Sequence, residues 1–237
     1  MIKRLHNNNL LYKYEKIFNG WLKENIIEIV PKEEISNPSF YLPHSPVIKE
    51  DSTTRIRPIF DASVKSKNQP SLNQCLEAGP NLIELIPSIL LRFRENKIDI
   101  TADIQKAFLQ ISIASEERDV TRSLWRHTQK PEELIIYRHC RIVFGITSSP
   151  FLLGATMNLH LERTLEETQD IYSKGIVQKL KQSFCVDNCI TSAKSIEEAI
   201  IFKENAISIL AESNFDLRGW QLSDMSSSSK FPVLRLI

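Results

Sequence analysis

Leu10, Leu11, Tyr14, Ile17, Phe18, Trp21, Leu22 and Ile26 recur at helical spacing until Pro31 stops the run, which predicts an amphipathic helix. An extended arm follows at 40–46, where two prolines oppose helix. Val47-Ile48-Lys49 and the stretch from Arg55 to Asp61 read as short strands joined by a polar turn over 50–54. Residues 63–80 read as loop, punctuated by Pro70, Gly79 and Pro80. Asn81 is placed to cap a helix over 82–95 that Pro87 kinks. The clearest alternation comes next. Ile98, Ile100 and Ala102 alternate with Asp99, Thr101 and Asp103, predicting a strand with one apolar face and a carboxylate at its end.

Beyond that strand the pattern predicts a helical turn at 105–110, strands at 121–126 and 134–144, and a helix from Ser149 to about Thr168. Phe151, Leu152, Ala155, Leu159 and Leu165 are the expected buried side of that helix. A hairpin follows whose turn, Val186-Asp187-Asn188, is acidic. Ser195 then caps a helix ending near Asn214, and Glu198 completes a capping box. Its expected buried side is Ile196, Ala199, Ile200, Ala206, Ile207 and Leu210. A last strand closes the pattern. This order implies an α+β fold, with helices packed on one face of a largely antiparallel sheet.

Composition adds bounds. A chain of 237 residues suits one large domain or one and a half, with a sizeable core. Hydrophobic residues at 42% and charged residues at 25% are ordinary for a folded soluble protein. A net charge of +1 counts against a dedicated nucleic-acid binder, though it leaves room for a local basic groove. Cys75, Cys140, Cys185 and Cys189 form no Cys-x-x-Cys pair, which points to reduced thiols rather than zinc or disulfides. The start of the chain has no signal-peptide core, and the apolar run at 82–91 is broken by Glu84 and Pro87. The expectation is an intracellular protein, cytoplasmic or nuclear, neither secreted nor membrane-bound.

The candidate chemistry lies in the carboxylates. A strand ending in Asp103 and a hairpin carrying Asp187 can meet at adjacent strand ends. Paired oxygen ligands of that kind suit Mg²⁺, and two such ions clamp the attacking and leaving oxygens of a phosphoryl transfer. Asn188, beside Asp187, offers a neutral amide where a second carboxylate would complete a metal-binding pair. Two aspartates far apart in sequence are a weak signal by themselves.

Three motifs strengthen it. Asp103-Ile104-Gln105-Lys106-Ala107-Phe108 resembles the first catalytic motif of reverse transcriptases. The segment from Phe144-Gly145 to Phe151 resembles their template- and nucleotide-positioning motif, and Phe184 to Asn188 stands where their aromatic-x-Asp-Asp box belongs. Tyr41-Leu42-Pro43-His44, Arg57 to Ser63, Ser71-Leu72-Asn73, Gly79-Pro80 and Leu91-Arg92-Phe93-Arg94 are similar to the BEL/Pao group of long-terminal-repeat retrotransposons. Together these matches run from Tyr14 to Trp220. The resemblance implies the fingers and palm of a right-hand polymerase, without a thumb. The implied segments are a helical part at 1–39, fingers at 40–96, palm at 97–225, and a tail at 226–237 that resembles the start of a primer-grip strand.

The resemblance also implies roles. Asp103 and Asp187 would ligate two Mg²⁺ ions, with Mn²⁺ as a substitute, and the Ile104 carbonyl could add a ligand. Main-chain N–H groups of Lys106 and Ala107 suit a triphosphate. Phe108 matches the aromatic that excludes a 2′-hydroxyl, while Lys49 and Arg57 match cationic residues that meet the triphosphate. Gly145 would let backbone approach nucleotide and template closely, with Phe144 packed beside it. Singly, each residue is ordinary for a core, a strand edge or a turn. Of the five histidines, three, His44, His139 and His160, read as anchors rather than metal ligands. The implied partners are an RNA or DNA template-primer and deoxynucleoside triphosphates.

Two positions depart from the family pattern. Asn188 replaces Asp and removes a negative charge beside the metal site. Leu217-Arg218-Gly219-Trp220 lacks the lysine that relatives carry before Trp, a proton donor to pyrophosphate, and arginine holds its proton too tightly to replace it. The reading is an RNA-directed DNA polymerase domain impaired at its catalytic box. The alternative is an inactive retroelement remnant that binds nucleic acid or serves as an interaction module.

Overall fold

A computed structural model describes residues 5, 9–48, 56–127, 130 and 132–223. Lys49, the expected turn at 50–54 and the tail at 226–237 lie outside them. In chain order the elements are α1 (Leu11–Lys23), β1 (Ile27–Ile29), β2 (His44–Ile48), β3 (Ile56–Phe60), α2 (Leu72–Cys75) and α3 (Ile86–Phe93). β4 (Ile98–Ile104), β5 (Arg122–Arg126) and β6 (Leu134–His139) follow. The last are α4 (Ser149–Glu167), α5 (Ile171–Lys181), β7 (Phe184–Cys185), β8 (Asn188–Ala193), α6 (Ile196–Ala211) and β9 (Leu217–Leu222). The chain forms two compact units, Met1–Ala78 with Ile111–Ser149, and Gly79–Gln110 with Pro150–Ile237.

The first unit holds an antiparallel sheet ordered β1-β6-β5 and the antiparallel hairpin β2-β3. β6 ends at His139, short of the expected 144. Past it the backbone turns to other partners: Cys140 N–H donates to Ile26 O at 2.8 Å and Ile142 N–H to Ile111 O at 3.0 Å. Tyr14 and Phe18 of α1 are fully buried, packed with Trp125, His44 and Tyr137 in an aromatic core. His44 Nε2 lies 3.0 Å from the Leu124 carbonyl, which only accepts, so Nε2 carries the proton and Nδ1 accepts from Tyr14 Oη at 2.8 Å. His44 therefore anchors the arm. His139 is also buried, and burial lowers its pKa to about 3, so it is neutral.

An arginine network ties the same unit together. Arg138, 7% exposed, donates to Glu28 Oε1 at 2.6 Å and Asp119 Oδ1 at 2.9 Å, and also to Glu34. Arg122, fully buried, donates to Asp119 Oδ1 and to the Ile35 carbonyl at 2.9 and 2.8 Å. These fork geometries match planar guanidinium to carboxylate and carbonyl oxygens.

The second unit is built on an antiparallel sheet ordered β7-β8-β4-β9. The alternation read from sequence holds along β4: Ile98, Ile100, Ala102 and Ile104 are each at most 5% exposed, and the three residues between them are only partly covered. Each such isoleucine contributes about 2 kcal/mol by leaving water. Ile190 of β8 packs with Ile89 and Phe93 of α3 and with Cys185, while α6 packs on β8, β4 and β9.

Three helical expectations change. Pro87 does not kink a helix over 82–95. Asn81 caps a 3₁₀ turn at Leu82–Leu85, and Pro87 occupies the first turn of α3, where its missing N–H costs nothing. α4 buries Leu153, Met157 and Leu161 at spacing of one turn, leaving Leu152 and Leu159 at 40% and 50% exposure. α6 buries Ala199, Phe202, Ala206 and Leu210, while Ile196, Ile200 and Ile207 lie exposed about one residue around the helix. Ser195 caps α6, accepting from the Glu198 N–H at 3.3 Å, but the Glu198 carboxylate accepts from Lys194 N–H rather than closing the box on Ser195. α5 was not expected at all. Only Val177 and Leu180 of its residues are buried, so the sequence carries almost no helical stripe there.

Candidate active site

Asp103 stands one residue from the end of β4, and its register partners are Asn188 on β8 and Arg218 on β9. Residues opposite in an antiparallel pair hold their Cβ atoms about 5 Å apart on one face. The β7–β8 hairpin closes on the pair Cys185 and Asn188, so Val186 and Asp187 form a two-residue turn. Val186 has φ 58, a left-handed conformation that costs a β-branched residue roughly 1–3 kcal/mol. Ile104 N–H donates to the Asp187 carbonyl at 2.9 Å, pinning the turn to the end of β4. Asn188 Nδ2 donates to Asp187 Oδ1 at 3.0 Å.

Electrostatics mark these groups. Burial pushes the Asp187 carboxyl above its ordinary value, and the negative charge of Asp103 pushes it further. The same Asp187 charge, after burial, raises the Cys185 thiol. A half-buried carboxylate beside a second one fits a divalent cation, whose charge would relieve Asp187. Among the described residues no group of three or more His, Cys, Asp or Glu side chains is gathered for a metal. The donor set offered is therefore Asp103 and Asp187, with the Asn188 amide oxygen as a neutral addition.

The other expected residues divide between the units. Ile104 is buried and pairs with Leu217. Lys106 has φ 49, and Ala107 and Phe108 open a short 3₁₀ helix in which both are buried, at 3% and 4% exposure. All three follow β4 directly in the second unit. In the first unit Arg57 is exposed on β3, and Phe144 is 53% exposed. Gly145 has φ 96, and a Cβ there would lie 2.2 Å from the Phe60 carbonyl at the end of Arg57's strand, so only glycine fits. Lys49 lies outside the described residues. The three histidines stay away from this chemistry: His160 Nε2 bonds the Ile209 carbonyl at 2.7 Å.

Two contributors had no role in the sequence reading. Asn73 donates to Ser63 Oγ and Gly145 O at 3.0 and 2.9 Å and accepts from Thr147 N–H at 2.8 Å, clamping the Gly145 turn. Gly219, with φ +66, comes so close to Asp103 that an added Cβ would lie 2.3 Å from its Oδ1. A glycine inside a strand pattern was the available signal for such an approach.

The second unit is thus an antiparallel α+β unit with two aspartates at adjacent strand ends. No family model matches the chain, and no curated protein sequence does. Solved structures do. The foamy viral protease-reverse transcriptase in complex with an RNA/DNA hybrid aligns at TM-score 0.61 with 18% identity, over 89% of this chain and 24% of that one. The native prototype foamy virus protease-reverse transcriptase gives 0.59 and 20%, over 85% and 22%. The foamy viral protein in complex with dsDNA gives 0.57 and 18%, over 86% and 35%. This chain thus has a reverse transcriptase-like fold and spans between 22% and 35% of those neighbours' length. No described helix is long and apolar enough to cross a membrane.

Proposed function

We propose that this chain is the fingers and palm part of an RNA-directed DNA polymerase of the BEL/Pao retrotransposon type, weakened at its catalytic box. The observation that carries the reading is the meeting of Asp103 and Asp187 at adjacent strand ends, where the charge of Asp103 adds to burial in disfavouring the Asp187 carboxylate. Asp103 and Asp187 would hold two Mg²⁺ or Mn²⁺ ions, with the Ile104 carbonyl as a further oxygen. Bound ions of this kind supply charge stabilisation to the attacking and leaving oxygens of nucleotidyl transfer. Arg57 and Lys49 would meet the triphosphate, Lys106 and Ala107 would offer main-chain N–H groups to it, and Phe108 would sense the sugar. Phe144 and Gly145 would position template and nucleotide on an RNA or DNA template-primer.

Asn188 favours a second reading, a remnant that keeps the fold and binds nucleic acid or acts as an interaction module. An amide that donates to Asp187 Oδ1 occupies one of its lone pairs and adds no negative charge of its own. Primer extension on an RNA template with Mg²⁺ and with Mn²⁺ separates the two. The polymerase reading expects Asn188→Asp to extend at least tenfold faster than the natural chain, and Asp103→Ala to abolish extension in both backgrounds. Silence from Asn188→Asp, or extension that survives Asp103→Ala, sinks it.

A further inference from the structure

The Arg218 side chain reaches toward the Asp103 carboxylate from the neighbouring strand. Its Nε lies 3.6 Å from Asp103 Oδ2, with the two side chains 51% and 46% exposed. Gln105 aims it. With the amide set so that Nε2 donates to Asp216 Oδ2 at 2.6 Å, Gln105 Oε1 accepts from Arg218 Nη1 at 2.9 Å. The Gln105 main chain is tied to the same residue, donating to Asp216 O at 2.8 Å. On the other side of the carboxylate the Gly219 backbone abuts Oδ1. Asp103 is thus held between a backbone wall and a cation that the protein itself supplies.

We infer that Arg218 is the built-in counter-cation of Asp103, which a divalent ion has to displace before the site can fill. The inference rests on the reading of Asp103 and Asp187 as a divalent-cation site. Its physical basis is competition. A guanidinium at ion-pair distance repels a second positive charge at the same oxygen. Arginine does not lose its proton in a protein, so relief comes only by swinging away. At this exposure water weakens the pair and the side chain has room to move. Arg218 therefore raises the metal concentration the site requires without closing it. The Asn188 amide adds a hydrogen-bond donor at Asp187 Oδ1, so Asp103 has an internal cation nearby and Asp187 an internal donor.

The test is Mn²⁺ binding by the full chain, read from loss of the free-ion electron paramagnetic resonance signal. The natural chain, Arg218→Gln, Arg218→Lys, Asp103→Asn and the double variant Arg218→Gln/Asp103→Asn are titrated at low ionic strength. Circular dichroism checks that each is folded. Arg218→Gln should bind Mn²⁺ about tenfold more tightly than the natural chain, Arg218→Lys should stay within about threefold of it, and Asp103→Asn should abolish binding in both backgrounds. If Asp103→Asn abolishes binding while Arg218→Gln binds no tighter than the natural chain, the metal-site reading stands and the counter-cation inference is overturned. Binding that is indifferent to Asp103→Asn, or absent from every chain, overturns the reading itself and the inference with it.

Discussion

The arginine network of the first unit and the aspartate pair of the second are opposite solutions to partly buried charge. Burial alone would raise the carboxyl of Glu28, but hydrogen bonds and charge from Arg138, aided by Arg118, hold it below its ordinary value. Asp119 is the same case, with Arg138, Asn37 and Arg122 overriding its burial. Asp187 moves the other way, because burial, helped by the like charge of Asp103, outweighs the backbone hydrogen bond that lowers it. The first unit matches its partly buried carboxylates with arginines, whereas Asp187 lies beside a second carboxylate. The second arrangement costs stability, and the strained Val186 turn adds to that cost.

Breaking the matched region should have the largest effect. Arg138→Met leaves Glu28, Glu34 and Asp119 without their shared donor and should destabilise the protein by about 3–5 kcal/mol, read from the urea midpoint. Gly219→Ala comes next. It forces a side chain into a left-handed position and turns the Asp103 carboxylate aside, costing about 1–2 kcal/mol in thermal unfolding and weakening Mn²⁺ binding.

Asp187→Asn is the smallest change and should have the opposite sign, stabilising the metal-free protein at neutral pH by up to about 1 kcal/mol. The pH dependence separates the regions. A carboxyl raised on folding contributes stability present below its unfolded pKa, about 4, and lost as pH rises through its higher folded value. Asp187→Asn should therefore gain on the natural chain as pH rises from about 4 toward neutrality. Glu28 and Asp119, lowered on folding, contribute stability present above the unfolded value and lost as pH falls through the folded one. Both chains should lose that contribution together below about pH 4. Urea midpoints across this range would show both windows.

The difference between the regions also decides what the sequence could reveal. β4 was legible because its alternation is local: each apolar residue answers the one two places away. The pairing of Asp103 with the hairpin was legible only through motif resemblance, since 84 to 85 residues separate the partners. The arginine network was invisible for the same reason without a motif to help, as Arg138 and Glu28 stand 110 positions apart. α4 and α6 were read as helices, and Ala199, Ala206 and Leu210 of α6 were placed on its buried side, but the α4 line and the α6 isoleucines were misjudged, because leucines and isoleucines also occupy the exposed flanks. α5 escaped notice because two buried side chains do not make a stripe. Arg218 was weighed as a proton donor, and its nearness to Asp103 emerged only from the β4–β9 register.

Hydrogen exchange with and without Mn²⁺ tests directly the claim that the aspartate pair of the second unit takes a cation. A bound ion should slow amide exchange at residues 101–104 and 185–190 and leave residues 134–139 of the first unit unchanged, and Asp187→Asn should erase the gain. Unchanged exchange at the hairpin, or a gain that persists in Asp187→Asn, would contradict it.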